Sequence, residues 1–207
     1  MKNHFIAFAF DFLNPWCWLG EKRLRQAMAK TGVTLPLDYQ ACRSAHLKAQ
    51  IGVDYRTYRE NRFGSQAKTY EEALSLAATE FGISLDFGLI TTMPDTEPAL
   101  RLMRWQKDRG KCTQTLFEGI YQAHFCEGKD LSDPASLLAL LEQDAERQMA
   151  LNFLRSDDGV KDLVKAERET IAWCGRLTPA IQLGETVISG AQPSEILATL
   201  LNSRSRN

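Results

Sequence analysis

Five cysteines supply the most reactive side chains of this 207-residue chain: Cys17, Cys42, Cys112, Cys126 and Cys174. Their number is odd, their spacings are wide, and no two of them are separated by only two residues. This pattern indicates neither a disulfide framework nor a zinc site. We therefore expect reduced thiols that are mostly buried as small apolar side chains, and we predict no metal site.

Cys17 stands at the beginning of a predicted helix. Asn14 is a favoured N-cap residue, and Pro15 is favoured at the first helical position before Trp16 and Cys17. The free N–H groups and the dipole at such a helix end lower the pKa of a nearby thiol. Cys17 also shares an apolar stripe with Leu24, however, and this favours a position in the core where the thiol is hidden.

Strands and helices alternate around this motif. Residues 5–12 are apolar on both faces of a period-2 pattern, which predicts a central strand covered on both sides. A helix from Pro15 to a stop at Gly32 follows, and residues 33–41 predict a second strand, which Pro36 places at an edge of the sheet. Because a crossover helix joins the two strands, we expect them to be parallel.

The rest of the chain divides into two parts. Residues 44–157 carry helical patterns and no convincing strand. Residues 158–207 predict a helix over 158–174, an antiparallel hairpin with strands at 179–183 and 186–189, and a final helix over 194–201. We therefore predict an α/β protein in which residues 1–43 and 158–207 form a mixed four-stranded sheet with flanking helices, while residues 44–157 form an inserted all-helical subdomain.

Composition excludes several functional classes. The net charge is −1 with a pI near 6.3, and the basic residues are scattered, so we predict no binding of nucleic acid. No apolar run approaches the length of a membrane span, so no membrane contact is expected. The apolar N-terminus is short and interrupted by Asp11, which favours a strand over a signal peptide. We therefore expect a cytoplasmic protein.

Several segments resemble the FrnE-like branch of the DsbA family of thioredoxin-fold oxidoreductases. The motif at residues 14–17 is similar to the family's Cys-Pro-Trp-Cys site, and residues 93–102 and 124–131 resemble two stretches of its helical insertion. Residues 175–179 are similar to the loop that holds its cis-proline, and residues 188–193 match its Ser-Gly-Ala-Gln-Pro segment. The resemblance implies a thioredoxin fold with a large helical insertion and a cis peptide bond at Thr178–Pro179.

The resemblance also implies where a substrate binds. The N-terminus of the first helix should face Thr178 and Pro179, so that Pro15, Trp16, Thr178 and Pro179 contact a small-molecule thiol or an extended peptide. Asn14 stands where the family has its attacking cysteine. Thiol–disulfide exchange needs an attacking and a resolving thiol. A dithiol reaction through this motif is thus excluded unless another cysteine comes near, and Cys42 is the one candidate.

We predict that Asn14 contacts the substrate or its sulfur, and three functions stay open. In the first, Cys17 acts alone as a monothiol oxidoreductase, for example through a mixed disulfide with glutathione. In the second, the chain is a glutathione-dependent isomerase or transferase similar to 2-hydroxychromene-2-carboxylate isomerase or the kappa-class transferases, and Asn14 donates to the thiolate of bound glutathione. In the third, the chain is a binding module without catalysis that holds an extended peptide or a small acid against Thr178 and Pro179.

The sequence differs from the isomerase branch in one segment. That branch has Gly-Gln-Asp-Arg near its final strand, whereas this chain has Ser189-Gly190-Ala191-Gln192. We expect no tightly bound cofactor, and glutathione is the candidate ligand. The sequence leaves open whether the protein forms a homodimer.

Overall fold

The structure is a computed structural model that describes residues 5–205. Contacts divide the chain into two compact units, Met1–Arg43 with Ala166–Asn207, and Ser44–Lys165. The boundary between Lys165 and Ala166 lies within the helix Val160–Cys174, whereas the boundary expected from the sequence, between residues 157 and 158, lies before that helix.

The first unit contains a four-stranded mixed sheet in the order β2-β1-β3-β4. Its strands are β1 (Ile6–Phe10), β2 (Leu37–Ala41), β3 (Ala180–Leu183) and β4 (Thr186–Ser189). β1 pairs with β2 in parallel and with β3 antiparallel, and β3 and β4 form an antiparallel hairpin. The predicted mixed four-stranded sheet is confirmed, and β2 is one of its two edge strands, with Pro36 just before it.

Within residues 5–205, three helices complete this unit: α1 (Pro15–Thr31), the C-terminal part of α9 (Val160–Cys174) and α10 (Ser194–Ser205). α1 begins and ends at the predicted residues, whereas α10 continues beyond the predicted end at residue 201. α1 packs against α10. Every residue of β1 is buried, because β1 lies in the middle of the sheet. On one of its faces Phe8 and Phe10 make edge-to-face contacts with Tyr39 of β2.

The second unit is helical. Its helices are α2 (Ala45–Lys48), α3 (Tyr55–Phe63), α4 (Ala67–Thr79), α5 (Glu97–Asp108), α6 (Gln114–Phe125), α7 (Pro134–Leu138), α8 (Asp144–Arg155) and the first part of α9. Short 3₁₀ turns lie at Gly64–Gln66 and Phe87–Leu89, and a single β-bridge joins Asp54 to Thr92. None of the helices in the part of the chain that the structure describes combines the length and the apolarity needed to cross a membrane.

A buried arginine binds the C-terminal end of one helix in the second unit. The guanidinium of Arg101 on α5 donates to the backbone carbonyls of Phe153, Leu154, Ser156 and Asp158 at the end of α8. Helix C-termini leave such carbonyls without partners inside the helix, so the charge and the helix end satisfy each other. Arg101 therefore links α5 to the segment that leads into α9.

Candidate functional site

The N-terminus of α1 lies opposite the Thr178–Pro179 peptide bond, which is cis. Asn14 joins the two. Its Nδ2 donates to the carbonyl oxygen of Thr178 at 2.8 Å and lies 3.4 Å from Thr178 Oγ1. Its Oδ1 accepts from the backbone N–H of Trp16 at 3.1 Å, as an N-cap does. One side chain therefore caps the helix and holds the segment before the proline.

The backbone N–H groups of the first turn are used within the chain. Pro15 has no N–H, the N–H of Trp16 is bonded to Asn14 Oδ1, and the N–H of Cys17 is bonded to the Asn14 carbonyl at 2.9 Å. The positive end of the helix dipole still favours an anion here. Hydrogen bonds to such an anion must therefore come from side chains or from the facing loop.

Cys17 lies in the core. Its side chain is 0% exposed and is not part of a disulfide. Of its neighbours, Pro15 is also buried, whereas Asn14 and Trp16 are half-buried. The motif therefore presents an amide and an indole towards the surface, and its one thiol points away from it.

A glycine lets the proline approach α1 closely. A Cβ added at Gly20 would lie 3.0 Å from Cγ of Pro179 and 3.4 Å from Cα of Ala191. Arg23, on the next turn, donates to the carbonyl of Ala191 at 2.8 Å, and the N–H of Gly190 donates to the carbonyl of Pro179 at 2.7 Å. The segment after β4 thus holds the proline against the helix.

Thr178 offers further donors at the same place. Within residues 5–205 no acceptor pairs with its backbone N–H, and its side chain is half-buried. The preceding residue, Leu177, is 57% exposed. The sequence-predicted residues Asn14, Thr178 and Pro179 are therefore brought together, with the amide of Asn14 and both donors of Thr178 around one short stretch of surface.

The structure pairs Cys42 with Cys174 and does not bring it into the motif. The two Sγ atoms lie 3.4 Å apart, in a buried cluster whose other members are Ala9 and Ala180. Burial raises the pKa of Cys42 well above its ordinary value, and the adjoining Cys174 thiol raises it further. No local pattern connects positions separated by 132 residues, so sequence reasoning did not find this pair.

A buried ion pair lies beside these thiols. Arg43 donates from Nε and Nη2 to the two carboxylate oxygens of Glu167, at 2.8 and 2.6 Å, and its backbone N–H donates to Oε1 at 3.2 Å. The arginine and glutamate side chains are only 7% and 6% exposed. This bidentate contact fastens the end of β2 to α9.

No group of three or more histidine, cysteine, aspartate or glutamate side chains in the described part of the chain could hold a metal ion. The site is built from amides, hydroxyls and backbone groups.

A mixed sheet in the order β2-β1-β3-β4, with a helix N-terminus facing a cis-proline, defines a thioredoxin-fold protein. Residues 5–202 match the model of the DSBA-like thioredoxin domain, and the chain belongs to that family. The search of curated proteins found no match to this sequence.

Solved structures share the fold at low sequence identity. A probable DsbA oxidoreductase from Streptomyces coelicolor superposes with a TM-score of 0.79 at 20% identity, covering 96% of this chain and 88% of that one. A 2-hydroxychromene-2-carboxylate isomerase gives 0.71 at 20% identity, covering 98% and 95%. The cytosolic disulfide reductase DsbM from Pseudomonas aeruginosa gives 0.61 at 16% identity, covering 97% and 98%. At these identities the likeness concerns the fold alone.

Proposed function

We propose that this protein binds a small thiol, with glutathione as the reference ligand, and works as a glutathione-dependent isomerase or transferase. In this function the reacting sulfur belongs to the ligand and not to the protein. One observation carries the proposal: the position that faces Thr178 holds the amide of Asn14, while the single thiol of the motif is 0% exposed.

The groups around Asn14 suit a thiolate. The Asn14 amide donates to the Thr178 carbonyl at 2.8 Å and, over the longer distance of 3.4 Å, to Thr178 Oγ1. A thiolate would replace the hydroxyl oxygen as the acceptor of this second bond, and Thr178 would add its own hydroxyl and backbone N–H as donors. The N-terminus of α1 contributes the positive end of its dipole. Together these groups favour the ionised form of a bound thiol, which is the nucleophilic form.

The chain's residues would bind and orient this sulfur. Asn14 and Thr178 would hold it at the end of α1, and the half-buried Trp16 and exposed Leu177 would supply apolar surface beside it. The solved isomerase structure shares this fold, which is consistent with the proposal.

An extended peptide fits this site less well. Pairing with a peptide backbone would use both the N–H and the carbonyl of the residue before the proline. The Thr178 carbonyl already accepts a hydrogen bond from Asn14, so a peptide N–H would have to share this oxygen through its second lone pair. This favours a small thiol over a peptide as the ligand.

The monothiol hypothesis assigns the chemistry to Cys17 and stays a prediction. It would require the start of α1 to open, because the Cys17 side chain is wholly inside the core. We further propose that the protein works in the cytoplasm, where its thiols stay reduced, since none of its cysteines forms a disulfide in the structure.

Calorimetric titration with reduced glutathione tests the proposal. We expect binding by the wild type, unchanged binding by Cys17→Ala, and binding weakened by about tenfold or more in Asn14→Asp, because a carboxylate removes a donor and repels a thiolate. S-methylglutathione, which cannot ionise at sulfur, serves as the ligand control and should bind more weakly.

Two results would overturn the proposal. Equal binding of both ligands by wild type and Asn14→Asp would mean that the sulfur does not contact this site. A covalent glutathione adduct that disappears in Cys17→Ala, seen by intact mass after treatment with oxidised glutathione, would establish the monothiol reaction instead.

A further inference from the structure

We propose that Cys42 and Cys174 are a redox-active pair that closes to an intrachain disulfide when a low-molecular-weight disulfide oxidises it. This inference goes beyond the proposed function, which uses neither thiol. It identifies a covalent modification site at the base of the segment that leads to Thr178.

The geometry requires little movement. The Sγ atoms lie 3.4 Å apart, and a disulfide bond is about 2.05 Å long, so each sulfur must move by less than about 1 Å. The cluster around them contains the small side chains of Ala9 and Ala180. Ile171 and Trp173 of α9 also pack against this cluster, so the two sulfurs must close the remaining distance in the space that these larger side chains border.

The backbones that carry the thiols are held together by other contacts. The N–H of Cys42 donates to the carbonyl of Phe10 at 2.8 Å, which ties it to the central strand. Arg43, the next residue, is clamped to Glu167, which lies two turns before Cys174 on α9. These contacts keep the two sulfurs facing each other in the folded protein.

The reaction balances as two exchanges. The thiolate of one cysteine attacks a sulfur of oxidised glutathione, forming a mixed disulfide and releasing one glutathione thiolate. The second cysteine loses its proton and attacks the protein sulfur of that mixed disulfide, releasing the second glutathione. Two protein thiols are oxidised, and one glutathione disulfide is reduced to two thiols.

Burial makes this oxidation slow. Cys42 is 1% exposed and Cys174 is 3% exposed, whereas Cys112 is exposed. Attack on a solvent disulfide therefore requires local opening at the end of α9. Both residues that follow this helix, Gly175 and Arg176, have left-handed backbone conformations. Exposed thiols should consequently react first, and the buried pair should respond to prolonged or strong oxidation.

The bond would also fix the base of the candidate site. Cys174 ends α9, its carbonyl accepts from the N–H of Leu177 at 3.1 Å, and Thr178 follows. A disulfide at Cys174 would anchor that turn to the end of β2. The redox state of the pair is therefore expected to alter the mobility of the segment that Asn14 holds.

The test uses the full chain carrying Cys112→Ser and Cys126→Ser, which leaves Cys17, Cys42 and Cys174. The folded protein is incubated with oxidised glutathione, quenched in denaturant with an alkylating reagent and mapped by mass spectrometry. We expect a product two hydrogen atoms lighter, with Cys42 and Cys174 linked and Cys17 alkylated. Its cooperative thermal transition should lie above that of the reduced protein, because the link spans 132 residues of the unfolded chain.

The single variants Cys42→Ala and Cys174→Ala serve as controls and should give no linked product. Three results would overturn the proposal: alkylation of both cysteines even after an incubation that continues long after Cys112 of the wild type is fully modified, a link that forms only in denaturant, or a product confined to Cys17. The linked peptide is read on the background protein, so the test holds even where a single variant folds poorly.

Discussion

The side-chain amide of Asn14 donates a 2.8 Å hydrogen bond to the carbonyl of Thr178, the residue before the cis-proline. The same side chain caps α1 through its oxygen. Asn14 thus joins two parts of the site, at the position that the sequence resemblance aligns with the attacking cysteine of the DsbA family. This makes the site a binding surface for a ligand's sulfur under our proposal.

Restoring a thiol at this position should restore dithiol chemistry. In Asn14→Cys the new thiol stands at the helix N-terminus, where its pKa is lowered, and Cys17 can act as the resolving thiol. We expect catalysed reduction of insulin by dithiothreitol to rise by about tenfold or more over the wild type. Asn14→Cys combined with Cys17→Ala is the control and should lose this gain; an inactive Asn14→Cys protein would contradict the prediction.

Removing the amide should destabilise the protein. Asn14→Ala loses the cap and the bond to Thr178, so the free energy of unfolding should fall by about 1–3 kcal/mol in urea titrations. Asn14→Ser keeps a capping oxygen but is too short to reach Thr178, and it should lose about half as much. Equal losses in both variants would mean that the bond across to Thr178 contributes nothing.

Gly20 lies so close to Pro179 that any side chain at this position should destabilise the protein. Gly20→Ala places a Cβ 3.0 Å from the Pro179 ring, and we expect a loss of about 1–2 kcal/mol despite the better helix propensity of alanine. Gly119→Ala in α6 is the matched control. Its Cβ meets only the flexible end of Leu140 at 3.4 Å, so stability should rise by up to about 1 kcal/mol. Thermal unfolding of the two variants should shift in opposite directions.

Removing one partner of the buried Arg43–Glu167 ion pair should lower the stability of the protein. Arg43→Met removes the guanidinium that balances the charge of the buried Glu167 carboxylate and should cost about 3–5 kcal/mol of unfolding free energy. The double variant Arg43→Met with Glu167→Met should recover most of this loss. Lys68→Ala, which removes a pair that is 82% and 64% exposed, should change stability by less than about 0.5 kcal/mol.

Protonation of His124 should destabilise the second unit. His124 is buried, and its Nδ1–H donates to the carbonyl of Lys129 at 3.1 Å. Burial lowers its pKa in the folded state, so the unfolded chain binds the proton more readily. The stability from this group is present above its unfolded pKa, about 6.5, and is lost as the pH falls towards the lowered folded value.

Urea unfolding at about pH 7.5 and about pH 5.5 measures this effect. His124→Gln should lose less stability than the wild type across this interval, whereas His46→Gln, at an exposed position, should behave like the wild type. A loss in His124→Gln as large as that of the wild type would assign the pH dependence to other groups.

Local patterns in the sequence determined much of the fold. The apolar run of β1, the Asn14–Pro15 start of α1 and the hairpin of β3 and β4 depend on residues close to one another in the chain, so their positions could be predicted. The resemblance added the cis bond before Pro179. The predicted second strand was too long, because Pro36 precedes the strand and does not lie within it.

The tertiary structure alone decided which distant side chains meet. Asn14 and Thr178 are 164 residues apart and Cys42 and Cys174 are 132 apart, so no periodicity connects either pair. Their contacts follow from the order of the strands, which brings β3 beside β1 and the end of α9 beside the end of β2. The sequence by itself determined where helices and strands form, since capping and apolar patterning act over a few residues. The chemistry at Asn14 and at the two buried thiols depends on long-range packing, which only the folded chain creates.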